Sequence, residues 1–279
     1  MPDNFAKTTR ILNGVTIHEG MLYSRTDKYL KLDLFLPLKT QKAVPGVIVI
    51  SGGGFRSQTG QRFRRFAEQL SEAGLATALI AYRGRPDVTY RGTIADTKAA
   101  VRFVRSISGA YNIDPDRIGA VGRSAGASLA ALLAFTDDTD EFEGNGEHAE
   151  FSGCIQAAVG IAGTYDFIAR YSAKEQIAIQ PQLDAFRKSH GEWIGAPFSP
   201  TDEHWHQVSA INHVSPGGAP MLFIHTRDDP IVPWMQSRNM HAKMAEVGVR
   251  SALNIFENGG HETHPMAMEL TLAFFREVL

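Results

Sequence analysis

The chain has 279 residues, enough for one large α/β domain or two small ones. Hydrophobic residues make up 43% and charged residues 21%, a balance that excludes a disordered chain. Against 30 Asp+Glu stand 28 Lys+Arg, a net charge of −2, so no positive field exists to attract nucleic-acid phosphates.

The single cysteine, Cys154, can form neither an intrachain disulfide nor a thiolate metal site alone. No apolar run approaches the roughly 18 residues of a membrane helix; the longest are pieces such as Val44–Ile50 and Leu75–Tyr82. Asp3, Lys7, Arg10, His18 and Glu19 interrupt the first twenty residues, so no signal-peptide core is present. The expectation is a cytoplasmic enzyme, or a secreted or periplasmic one if a leader has been removed, with neither nucleic-acid nor membrane partner.

No internal repeat or Pro/Ser linker divides the chain. From about Arg10 to Leu36 strands follow one another without a helix, which predicts antiparallel pairing at the start of a sheet. Beyond them β-rich runs recur at Gly46–Ser51, Ala76–Tyr82, Arg117–Val121, Cys154–Ile161, Met221–His225 and Ala252–Phe256. Between these, Arg62–Ala73, Ile94–Ser108, Ala125–Phe135, Met235–Val247 and Glu262–Val278 carry apolar residues near the 3.6 spacing of a helix. Most of the strands are continuously apolar, as strands buried on both faces must be. The alternation predicts one α/β domain whose mostly parallel sheet of about eight strands has helices on both faces. Thr164–Val214 breaks the rhythm, with Tyr165, Phe167, Tyr171, Trp193, Phe198 and Trp205 scattered among polar residues. It reads as a lid-like or elaborated insertion that either packs as an extra layer or shapes the substrate.

Gly122-Arg123-Ser124-Ala125-Gly126 lies between a strand and a helix. This is the G-x-S-x-G pattern in the strand–turn–helix setting of a nucleophile elbow. A turn that sharp crowds the backbone, so small residues are needed two positions before and after the serine. In return the hydroxyl stands in the open, beside the Ala125 N–H and the positive end of a helix. The plainer reading is a helix start with Ser124 as its N-cap. Ser51-Gly52-Gly53-Gly54-Phe55 follows directly on an apolar strand and exposes N–H groups, as an oxyanion hole demands. It lacks both the lysine of a phosphate loop and the spaced glycines of a dinucleotide loop. Further on, Asp228-Asp229 sits just past one strand and Gly259-Gly260-His261 just past another. The order Ser124, Asp229, His261 is that of a hydrolase triad, with each member at a strand's C-terminal end where the three can converge. Asp228 is the competing acid and His264 the competing base.

From about Lys31 onward the chain resembles an α/β-hydrolase-fold serine esterase. It is most similar to the acetyl esterases, the feruloyl-esterase-like enzymes and the hormone-sensitive-lipase family. The resemblance rests on Leu32–Pro37, Gly52–Gly54, Tyr82-Arg83, Ile113–Ile118, Gly122–Gly126, Asp229 with Val232-Pro233, and Gly260-His261. It implies that the N–H groups of Gly53, Gly54 and Ala125 form the oxyanion hole. Ser51 stands where the family carries a histidine that braces the glycine loop. The resemblance further implies hydrolysis of short-chain, acetyl-type esters through an acyl-enzyme, on a small-molecule or carbohydrate ester (acetylated or feruloylated), with no cofactor or metal.

Phe55 and Trp234 are candidates for the walls of the cleft, as are the aromatic residues of the insertion. The same fold serves prolyl-oligopeptidase-like peptidases, which add a large accessory domain that 279 residues leave no room for. It also serves catalytically silent binding proteins. Dehalogenase or dienelactone-hydrolase chemistry needs Asp or Cys at the elbow, where this chain has Ser124.

Three other clusters have plainer readings. His204-Trp205-His206, with Asp202 and Glu203, is expected on a surface loop rather than around a metal. The acidic run Asp137–Glu150 lacks the spacing of a calcium loop and is expected to be a solvated connection. Arg62-Phe63-Arg64-Arg65 reads as a helix burying Phe63 and Phe66, and Cys154 as an inert residue in a buried strand.

Overall fold

An Asn-Gly dipeptide sets the first hairpin. Asn13 and Gly14 both take positive φ, 50° and 78°, as a two-residue hairpin turn of that twist requires. They join β1 (Thr8–Leu12) to β2 (Val15–Leu22), which pairs in turn with β3 (Lys31–Pro37), all antiparallel. The computed structural model from which this is read describes residues 7–38, 42–136, 140–144 and 148–279.

β3 pairs antiparallel with β5 (Ala76–Ile80), and every later pairing is parallel. β4 (Val44–Ile50) lies between β5 and β6 (Ile113–Arg123), followed by β7 (Ala157–Ile161), β8 (Met221–Thr226) and β9 (Ser251–Phe256). The sheet has nine strands rather than about eight. β1 lies at its edge, with all five residues exposed.

Side-chain alternation along the central strands divides the core in two. Val47 and Val49 face one layer, with Phe63, Phe66 and Leu70 around α1 (Arg64–Glu72) and Phe274 and Phe275 on α10 (Ala267–Val278). Ile48 and Ile50 face the other layer, beneath α2 (Tyr90–Ser106), α4 (Ala125–Phe135) and α9 (Met235–Glu246). The short α3 (Ser108–Tyr111) leads into β6. Helices thus cover both faces of a mostly parallel sheet, the arrangement of the α/β-hydrolase fold. Among the described residues no helix is long and apolar enough to cross a membrane.

Several sequence expectations shift. The last helix begins at Ala267, not Glu262, because His264 precedes Pro265 and a residue before proline is held out of the helical region. Cys154 is half-buried and precedes β7 rather than lying in it. The run 137–150 lies partly outside the described residues (137–139 and 145–147); of its described part Glu141, Gly144, Ala149 and Glu150 are exposed, as expected of a solvated connection, but Phe142 and Glu143 are not. Phe142 is fully buried between the rings of Tyr90 and His213. Glu143 accepts hydrogen bonds from Lys98 and Arg102, two buried cations that need a carboxylate to be tolerated there.

Residues 164–214 fold as α5 (Phe167–Ser172), α6 (Lys174–Ile177), α7 (Leu183–Ile194) and α8 (Glu203–Gln207). Tyr165, Phe167, Trp193 and Trp205 are fully buried within this segment. Its start is clamped by Gln236 of α9, whose Oε1 accepts from the N–H groups of Tyr165 and Asp166, each at 2.7 Å. Most of the insertion's aromatics are therefore core. His204 and His206 flank buried Trp205 on α8 and bond to Asp202 and the Pro200 carbonyl. Among the described residues no group of three or more His, Cys, Asp or Glu side chains is placed to hold a metal ion.

Candidate active site

Residues 122–126 turn the chain from β6 into α4. Ser124 is held at φ 55°, ψ −123°, a conformation that costs a residue with a Cβ about 1–3 kcal/mol. A hydrogen bond from its N–H to the Ile161 carbonyl (2.8 Å) locks it there. The flanking glycines are required sterically. A Cβ on Gly122 would sit 2.0 Å from the Gly126 carbonyl oxygen, and one on Gly126 would sit 2.1 Å from that of Ile50. Both obstacles are backbone and cannot rotate away. Gly122→Ala should therefore lose about 1–3 kcal/mol or more, read as a lowered urea midpoint at unchanged slope.

Ser124 occupies the N-cap position of α4, yet its side chain makes no capping bond. Its Oγ lies 2.9 Å from His261 Nε2, and His261 Nδ1 lies 2.7 Å from Asp229 Oδ2. A carboxylate only accepts, so Nδ1–H donates to Asp229 and Nε2 is left to accept the serine proton. Asp229 has no exposed side-chain surface. Its Oδ1 accepts from the N–H groups of Ile231 (2.8 Å) and Val232 (2.9 Å). Burial would raise the Asp229 carboxyl, but hydrogen bonds from His225 and His261 outweigh it and hold it well below the usual carboxylate range.

The competing acid has another place. Asp228 accepts from the N–H groups of Gly259 (3.2 Å) and Gly260 (2.8 Å) and so pins the turn that presents His261. The competing base, His264, stacks on Phe256 with ring centroids 3.6 Å apart. Thr226 Oγ1 donates to the Gly260 carbonyl, and Arg123 donates to that of His261, fixing the same loop from both sides.

Behind the acid stands His225, fully buried on β8, to which the sequence reading gave no role. Its Nε2 lies 3.0 Å from the Val232 carbonyl and 3.3 Å from Asp229 Oδ2. Both neighbours are acceptors, so Nε2 carries the proton, and Nδ1 accepts from the Ser237 hydroxyl at 2.7 Å. Its signal in the sequence was position alone: a polar side chain four residues before Asp229 on an apolar strand.

The glycine run is pressed against the elbow. A Cβ on Gly52 would meet the Arg123 carbonyl oxygen at 2.6 Å and the Ser124 Cβ at 2.8 Å. The carbonyls of Gly53 and Gly54 are taken by the Arg56 N–H (3.2 Å) and Arg85 Nε (2.9 Å). Among the described residues no protein acceptor takes the N–H groups of Gly53, Gly54 or Ala125, and all three residues line the cavity at Ser124. Ser51 does not brace this loop through its side chain, which is buried without a partner among the described residues. The Tyr82 hydroxyl instead donates to the Ser51 carbonyl (2.8 Å), and Arg85 ties Gly54 to Glu192 on α7.

The cavity measures about 360 Å³ and is lined by the glycine run, Ser124 and His261. Arg170, Phe186 and His190 of the insertion line it too. Phe55 reaches it as a buried ring stacked on Trp193, 3.7 Å between centroids. Trp234 does not line it. The indole is half-buried between the guanidinium groups of Arg227 and Arg238, 4.4 and 5.3 Å from its centroid. Cation–π contact with these two arginines holds it away from the reacting centre.

Residues 32–244 match the model of the BD-FAE family. A probable carboxylic ester hydrolase, LipM of Mycobacterium tuberculosis, is 29% identical over 205 residues, covering 73% of this chain and 45% of that protein. The chain spans about half the length of the curated relatives it matches. A truncated carbohydrate esterase from gut microbiota shares the fold at a TM-score of 0.80 and 24% identity, covering 99% of this chain and 97% of that one. An acetyl ester-xyloside bifunctional hydrolase from Caldicellulosiruptor lactoaceticus aligns at a TM-score of 0.73 and 25% identity, covering 93% and 92%.

Proposed function

The chain belongs to the BD-FAE family, and on that premise we propose that it is a serine carboxylesterase acting on short acyl esters. The observation that carries the reading is the continuous relay from Ser124 Oγ through His261 to buried Asp229. His261 Nε2 takes the serine proton as Oγ attacks the ester carbonyl. Asp229 keeps the imidazole in the tautomer that can accept that proton and then stabilises the imidazolium. The N–H groups of Gly53, Gly54 and Ala125 receive the oxyanion, each worth about 100- to 1,000-fold in rate. His261 returns its proton to the departing alcohol. Water, activated by the same histidine, then releases the acid from the acyl-enzyme.

A cavity of about 360 Å³ lies near the lower end of small-molecule sites, which run from about 300 to 1,000 Å³, and favours a short acyl group. The names of the carbohydrate and acetyl esterases that share its fold support acetylated carbohydrate as the substrate class. A fluorophosphonate probe should label Ser124 stoichiometrically, with the adduct located by peptide mass; an unlabelled folded protein would refute the reading. Across nitrophenyl esters the rate should peak at acetate to butyrate, and a peak at decanoate or longer would overturn the short-acyl assignment.

A further inference from the structure

The side of the cavity built by the insertion is cationic. Arg170 of α5 is 2% exposed and lines the cavity. Its guanidinium bonds only to neutral acceptors: Nε to Gln180 Oε1 (3.0 Å), Nη1 to Thr164 Oγ1 and Nη2 to the Ile231 carbonyl (2.7 Å). No carboxylate pairs with it among the described residues. The negative charge that acts on it, Asp229, is already held by two backbone amides and two histidines. A guanidinium presents about five N–H groups, so the bonds to its nitrogens leave donors over. A buried charge is tolerated when it is paired, and here the described residues offer the guanidinium only neutral acceptors and the ring faces of Tyr171 and Phe186.

His190 of α7 lines the same side and is 4% exposed. Burial, with the nearby charges of Arg170 and Arg85, pushes its imidazole well below the ordinary histidine range, so it is neutral. The buried Tyr171 hydroxyl, 2.6 Å from its Nδ1, has no other acceptor among the described residues, so it donates there and leaves the ring proton on Nε2. No protein acceptor takes that proton among the described residues. Across the cavity Arg62 and Arg123 add positive charge, and the one facing carboxylate among the described residues, Glu262, is exposed and paired with Arg123.

We propose that Arg170 and His190 form an anion subsite beside Ser124, and that the enzyme's preferred substrates are esters bearing a carboxylate. The proposal rests on the esterase reading above and deepens it: Arg170 supplies a charge-assisted pair and His190 a second, neutral donor to the same carboxylate. Simple acetates remain substrates, without the benefit of this contact.

The test compares matched esters on the intact protein. On the acyl side, nitrophenyl half esters of succinate, glutarate and adipate are set against butyrate, pentanoate and hexanoate. On the alcohol side, acetoxybenzoate is set against phenyl acetate. In at least one arm the carboxylate ester should show a kcat/KM about 10- to 100-fold above its neutral partner, the worth of a hydrogen bond to a charged group. Arg170→Gln should bring that ratio to about one, because the charged donor is gone, and Arg170→Lys should restore part of it. Should Arg170→Gln fail to fold, the wild-type ratios still decide: no preference for the anionic ester in either arm overturns the subsite. A preference that survives in folded Arg170→Gln overturns the assignment to Arg170. Failure to hydrolyse any ester, neutral ones included, would instead refute the underlying esterase reading.

Discussion

Ser124→Ala is expected to lower kcat/KM for nitrophenyl acetate by about a million-fold, the scale seen when a triad nucleophile is removed. The fold should be untouched, because the hydroxyl carries no structural bond. Ser124 Oγ makes no helix cap, and its partner is His261 Nε2. The strained backbone at φ 55° is held by the Ser124 N–H on the Ile161 carbonyl and by the close packing of Gly122 and Gly126, all of which alanine keeps. Stability should therefore stay within about 0.5 kcal/mol of wild type, read from urea unfolding. What activity remains comes from the oxyanion N–H groups and substrate binding, about 1,000- to 10,000-fold over water. Turnover at more than a hundredth of the wild-type rate would remove Ser124 from the chemistry. Loss of the unfolding transition would show that the N-cap reading had been the better one.

What the sequence made legible was whatever the backbone itself dictates. The glycines at 122 and 126 are written by a turn too tight for a Cβ, and the apolar runs of β4 to β8 by burial on both faces. Given those strands, the acid and the base had to follow β8 and β9, since loops after parallel strands share one edge. Adjacent carboxylates on one turn could not be told apart in that way. Only the fold shows that Asp229 turns inward to the amides of Ile231 and Val232 while Asp228 turns outward to Gly259 and Gly260. Trp234 misled for a related reason: an aromatic near the acid loop has the composition of a cleft wall, but Arg227 and Arg238 take both its neighbours' places. Arg170 and His190 were illegible because polar residues on helices ordinarily face solvent. Here an aromatic layer buries both.

Exchange of the two neighbouring aspartates separates the roles that the fold gives them. Asp229→Asn should lower kcat by about 10,000-fold, because an amide at that position can donate to Nδ1 and stabilise the wrong imidazole tautomer. The surroundings enforce this outcome. The two backbone amides at Oδ1 demand an acceptor there, which turns the new NH2 group toward His261 and His225. His225 cannot relieve the conflict by accepting, since its Nε2 proton is committed to the Val232 carbonyl and its Nδ1 already accepts from Ser237. Asp228→Asn is a milder change. The side chain is exposed, and its carbonyl oxygen still accepts from one of the two glycine amides. The turn carrying His261 also keeps its bonds from Thr226 and Arg123. Its kcat should fall by less than about tenfold, the scale of one weakened hydrogen bond. Steady-state kinetics on both variants, with near-ultraviolet circular dichroism to establish that each retains native packing, provide the check. If Asp228→Asn proved the more damaging, the carboxylate serving His261 in solution would be the exposed one, and the buried relay read from this geometry would be wrong.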